Sequence, residues 1–192
     1  MADELRIFHT PELFMAEEVA TMREKVETYL LNHPDSPLIL GADTLGGIAY
    51  SMVNALEAFR ALRGERMTTY VAAACWSSGL LVMAAADRRV ALRTARFMIH
   101  EPMLNIKNFE QIAQRVETVT NLRNFLDEAE QGYHNYFGYL DYRTSQEAGF
   151  WRSKAQPAPD TYFYSAEQML GWNLLTHIVD SFDEMREIAL QA

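Results

Sequence analysis

The sequence predicts an α/β domain with a largely parallel sheet. Two observations point to it. Across the first hundred residues, apolar positions at helical spacing alternate with short runs of β-type residues, in the order helix, strand, helix, strand, helix, strand. The strand candidates are short β-type runs, of which Leu38–Leu40 reads as buried, set between helices as in an α/β domain. A composition of 49% hydrophobic and 11% aromatic residues can fill the core this needs, and 192 residues suit one domain spanning 1–192.

The elements follow in chain order. After the helix-start pair Thr10-Pro11, Met15, Val19, Met22, Val26 and Leu30 form one helical stripe. Asn32–Pro37, "NHPDSP", ends that helix, and Leu38–Leu40 reads as a buried strand. Gly41–Gly47, "GADTLGG", reads as a glycine-bearing turn. Ile48, Met52, Leu56, Phe59 and Leu62 then mark a second helix, which Arg63–Arg66 breaks. Met67–Cys75, "MTTYVAAAC", reads as one strand, and a third helix starts at Ser77. "RRVAL" and "ARFMIH" are β-type runs on either side of Arg93-Thr94. A long helix is expected from Phe109 through Leu126 and Ala129 towards Tyr133, followed by a tyrosine-rich patch that either continues it or stands apart. Lys154–Asp160 reads as a loop. Ser165 caps a further helix, "HIVDSF" is a strand, and the tail is helical.

The formal charge of −9 argues against a nucleic-acid partner, which needs a basic surface, and against adsorption on an anionic membrane. The longest apolar run, Leu80–Ala86, is too short for a membrane span and stops at Asp87, Arg88 and Arg89. The opening residues hold early acids and no signal-peptide core, and Cys75 is the single cysteine. These features lead to the expectation of a cytoplasmic protein.

"CWSSGLLVMA", Cys75–Ala84, raises the question of chemistry. A serine hydroxyl becomes a nucleophile when a base takes its proton and when donors face the oxyanion formed on attack. Ser77 lies between a strand and a helix start, where the Ser78 N–H and the helix dipole favour negative charge. Gly46-Gly47 would let a backbone N–H approach a ligand closely. His100 ends a β-type run and is a residue type suited to a base at neutral pH. Each feature has an ordinary alternative: a helix N-cap, a turn and a structural histidine. The segment also lacks the first glycine of the α/β-hydrolase nucleophile elbow.

Pro37–Pro102 resembles the proteolytic subunit of the Clp protease and its phage and periplasmic relatives. "DTLGG" (Asp43–Gly47) resembles that family's Ser-Pro-Gly-Gly-type turn, and "WSSG" (Trp76–Gly79) stands where the nucleophile lies in an Ala-Ser-Met-Gly context. "FMIHEP" (Phe97–Pro102) is nearly identical to the family's Met-Ile-His-Gln-Pro motif. "YSAEQM" and "IVDSF" resemble the segments that close the domain. The resemblance implies a ClpP/crotonase-type fold of stacked ββα units, with a long protruding handle helix at about 105–145. It implies a serine endopeptidase with Ser77 as nucleophile, His100 as base, and the backbone N–H groups of Gly47 and Ser78 as oxyanion donors. Ser78 would then contribute its amide, its hydroxyl being incidental, and Cys75 and Trp76 would be structural, Trp76 shaping the cleft. For the third triad member, an ungapped count lands on Thr161. A one-residue bulge brings in Asp160, which supplies the carboxylate the chemistry needs.

The family pattern also implies a peptide or unfolded-protein substrate, a homo-oligomer, often a ring, and neither cofactor nor metal. An ATPase unfoldase is a possible partner that the short segment before the first helix does not support. Leu45 replaces a proline, and "MLNIKNFE" replaces the glycine-rich strand that binds substrate backbone in the family. Two alternatives follow: a catalytically inactive subunit or scaffold, and a crotonase-type acyl-CoA enzyme. The second has no need for Ser77 and His100 together.

Overall fold

The computed structural model describes residues 6–101, 119–155 and 163–190. Three ββα units follow one another. The first is β1 (Ile7–His9), β2 (Leu13–Phe14) and α1 (Ala16–Asn32). The second is β3 (Leu38–Gly41), β4 (Gly46–Gly47) and α2 (Ala49–Arg63). The third is β5 (Met67–Val71), β6 (Ala74–Trp76) and α3 (Gly79–Ala85). A further pair, β7 (Arg88–Leu92) and β8 (Arg96–Met98), precedes α4 (Val119–Arg143), α5 (Phe150–Ala155), β9 (Phe163–Ser165), α6 (Ala166–Gly171), β10 (His177–Val179) and α7 (Phe182–Leu190).

The first strand of each pair enters a five-stranded parallel sheet in the order β1-β3-β5-β7-β10. The second strand turns out of it into a small sheet, either β2-β4 or β6-β8-β9. This is the stacked ββα arrangement that the resemblance implied. In the large sheet, alternate residues face opposite sides. Leu38, Leu40, Met67, Val71 and Ala91 join a large cluster with α1, α2 and α3, whereas Ile39, Tyr70, Val90 and Val179 meet Met185 and Ala189 of α7.

The predicted strand Met67–Cys75 is two strands in two sheets. The break has a cause outside the segment. The Asp43 carboxylate accepts the Ala72, Ala73 and Ala74 N–H groups at 3.1, 2.6 and 3.0 Å, which turns the chain between β5 and β6. The glycine-bearing turn likewise ends in a strand, β4, with Gly46 and Gly47 opposite Leu13 and Phe14 of β2. Val19, Met22, Val26 and Leu30 of the α1 stripe are buried. Met15, Ile48 and Leu62, read as stripe members, lie at element ends and stay exposed. The third helix begins at Gly79 rather than at Ser77.

The tyrosine-rich patch continues the long helix, since α4 runs unbroken to Arg143. The expected handle before Val119 lies outside the described residues. Arg143 donates from Nε to the Ala84 carbonyl and from Nη2 to the Ala85 carbonyl, both at 2.9 Å, closing the end of α3. The expected Ser165 cap is a full capping box with Gln168. Among the described residues no helix is long and apolar enough to cross a membrane.

Candidate active site

Ser77 and His100 leave the same ends of two neighbouring parallel strands. Trp76 of β6 lies opposite Met98 of β8, and the Ser77 N–H donates to the Met98 carbonyl at 2.7 Å. Ser77 follows Trp76 directly, and His100 follows Met98 by two residues. Both are half-buried.

Ser77 has φ +53°, in the left-handed region that L-residues with a side chain seldom occupy. Its neighbours hold it there. The N–H is fixed on β8, while the carbonyl accepts the Leu80 N–H at 3.1 Å and the Tyr136 hydroxyl at 3.0 Å. The result is a sharp strand-to-helix turn with Ser77 at its apex in a left-handed conformation, as in a nucleophile elbow. The segment lacks the glycine such an elbow has in its own chain, and Gly46 of β4 supplies the missing space. A Cβ on Gly46 would lie 2.7 Å from the Ser77 Cβ and from the Trp76 carbonyl oxygen, and 3.0 Å from the Ser78 nitrogen. A side chain at residue 46 would therefore crowd the Ser78 amide and the Ser77 Cβ. At Gly47, with φ +133°, a Cβ would strike the Phe14 backbone at 2.7 Å.

Neither serine caps α3 through its side chain. The Ser78 hydroxyl has a structural bond. Ser78 is buried, and its Oγ donates to the Gly47 carbonyl at 3.0 Å, tying the glycine strand to the elbow. The Thr44 hydroxyl supports the same strand, donating to the Glu12 carbonyl at 2.9 Å and accepting the Gly46 N–H at 3.1 Å.

His100 holds its Nδ1 2.5 Å from the Glu101 carbonyl oxygen. A carbonyl only accepts, so Nδ1 is the donor in this contact and Nε2 is left for another partner. Asp160 and Thr161 lie outside the described residues. β9 runs antiparallel to β8 with Phe163 opposite Met98, so the chain after them is anchored beside the strand that carries His100.

Cys75 is fully buried, and burial, with the Asp43 charge behind it, holds its thiol well above the ordinary range. A thiol in that state is a packing group, as expected. Trp76 stacks edge-on against the half-exposed Phe163 ring at 5.5 Å, giving the site an aromatic flank. Among the described residues no group of His, Cys, Asp and Glu is arranged to hold a metal ion.

Sequence reasoning missed Tyr136 and the roles of Asp43 and Thr44. Asp43 and Thr44 stood inside the glycine segment, but the Ala72–Ala74 amides that Asp43 gathers and the Glu12 carbonyl that Thr44 engages come from distant parts of the chain.

The sequence model of the Clp protease family matches residues 4–132, more than half of the chain. The chain belongs to the Clp protease family. No curated protein gives a significant match. The Clp family match takes in Asp43, Gly46, Gly47, Ser77, Ser78 and His100, and it ends before Tyr136 and Asp160. Membership supports a ClpP-like peptidase in general terms.

Proposed function

We propose that this Clp family protein is a serine endopeptidase that acts on peptide or unfolded-protein substrates through an acyl-enzyme, as a homo-oligomer. The observation that carries the reading is the left-handed elbow at Ser77, set against Gly46 and hydrogen-bonded to the strand leading to His100.

The Ser77 Oγ attacks the carbonyl carbon of the scissile bond while His100 Nε2 takes the hydroxyl proton. The backbone N–H groups of Gly47 and Ser78 stabilise the resulting oxyanion. Collapse breaks the C–N bond, and the proton on Nε2 passes to the departing amine. Water then adds to the acyl ester, giving its proton to Nε2. The second collapse returns that proton to Ser77 and releases the carboxylic acid. The proton and the electron pairs balance across the two halves.

Asp160 is the proposed partner of the His100 Nδ1–H during this cycle. Phe163 lies opposite Met98, and three residues reach at most about 10 Å, enough to bring Asp160 towards the imidazole. A carboxylate there would take the place of the Glu101 carbonyl without changing the tautomer.

A second reading, a non-catalytic subunit, finds support in the Nδ1–Glu101 contact, which satisfies the imidazole without a carboxylate. A fluorophosphonate probe separates the two. The peptidase reading expects covalent labelling of the wild-type protein, lost in Ser77→Ala. A folded wild-type protein that takes no label would leave the scaffold reading standing.

A further inference from the structure

We propose that Tyr136 is a positioning residue for the nucleophile, holding the Ser77 carbonyl so that the serine keeps its left-handed conformation. The proposal rests on the peptidase reading of Ser77. It starts from a conflict between residue type and backbone. Glycine adopts φ near +53° freely, whereas serine adopts it only at a conformational cost. Such a conformation persists when surrounding contacts over-determine it.

Two of those contacts are backbone bonds, Ser77 N–H to Met98 and Leu80 N–H to Ser77. The third comes from a side chain 59 positions away, the Tyr136 hydroxyl donating to the Ser77 carbonyl at 3.0 Å. Tyr136 is itself 6% exposed, with its ring edge-on to Phe137 at 4.9 Å, so the hydroxyl has little freedom to swing away. Burial pushes the phenol above its ordinary range, and it stays a donor at any working pH.

The helix that carries Tyr136 also grips the far end of α3. Arg143 holds the Ala84 and Ala85 carbonyls and pairs with Asp87 at 3.1 Å. α4 therefore holds α3 at both ends, with the nucleophile at one of them. A shift of α4 along α3 would be felt at the Ser77 carbonyl before it disturbed β6 or β8.

The test compares Tyr136→Phe with Tyr139→Phe. The second removes another α4 hydroxyl bond, from Tyr139 to Glu57 at 3.1 Å, with no contact to the elbow. Phosphonylation rates are read at a temperature where circular dichroism shows every variant folded. We expect Tyr136→Phe to label about five- to twentyfold more slowly, with kcat for a peptide substrate reduced and KM unchanged, and Tyr139→Phe to match wild type. Equal rates in Tyr136→Phe and wild type overturn the proposal, and so does an equal loss in both variants. If the phenylalanine variant does not fold, 3-fluorotyrosine at position 136 keeps the volume and strengthens the donor. Its labelling rate must then equal or exceed that of wild type, and a loss overturns the proposal. A wild-type protein that takes no label refutes the peptidase reading instead.

Discussion

The His100 Nδ1–H has one proton to give and two acceptors to consider. The Glu101 carbonyl holds it at 2.5 Å, and Asp160 is the carboxylate we propose for the reaction. A carbonyl orients the ring, but a carboxylate also stabilises the imidazolium that forms as Ser77 loses its proton. We therefore expect Asp160→Ala to slow fluorophosphonate labelling by about 100-fold or more, with Thr161→Ala close to wild type. A loss of less than about threefold in Asp160→Ala would assign the orienting role to the Glu101 carbonyl and retire the carboxylate. At this scale the strand-end positions of Ser77 and His100 were legible from the β-type runs before them, and their pairing as a candidate site came from the family resemblance. The left-handed φ of Ser77 was not legible, since the glycine that makes room for it is on another strand. The structural bond of the Ser78 hydroxyl was not legible for a related reason: its acceptor, the Gly47 carbonyl, is 31 positions away.

Among the elements, β6 aims Ser77, the proposed nucleophile, and Asp43 aims β6. One carboxylate gathers three consecutive amides at the point where the chain leaves the large sheet for the small one. Hydrogen bonds to a charged acceptor are worth about 1.5–3 kcal/mol each, and they are not additive when they share one carboxylate. Asp43→Ala should lower the stability of the fold by about 2–4 kcal/mol in urea unfolding, and it should slow labelling of the fraction that remains folded. Normal labelling in a destabilised variant would show that β6 finds its direction without Asp43. The helices were read from their stripes because a period of 3.6 is local. The break in Met67–Cys75 was invisible because no glycine or proline marks it, and its cause is a side chain from the β3–β4 connection. The tyrosine-rich patch was ambiguous because Gly132 and Gly138 suggested breaks. The helix runs through both, since the cost of a glycine in a helix interior is modest.

For the molecule as a whole, the alternation of the large sheet divides stability from chemistry. One face carries the large cluster, in which α3 runs on from the elbow, so Leu80 packs three residues from the nucleophile. The other face carries a small cluster, Ile39, Tyr70, Val90 and Val179 under Met185 and Ala189, which includes none of the site residues. Removing buried side-chain volume costs about 2–5 kcal/mol on either face. What the missing volume disturbs should differ. Met185→Ala, at a residue 2% exposed, should lower the unfolding free energy and leave the labelling rate of the folded protein unchanged. Leu80→Ala should lower both, because the cavity opens beneath the turn that holds Ser77 against Met98 and Tyr136. Urea unfolding and phosphonylation kinetics on the same preparations decide it. If Met185→Ala slows labelling as much as Leu80→Ala, the sheet passes strain from one face to the other, and the separation drawn from its alternating register does not hold.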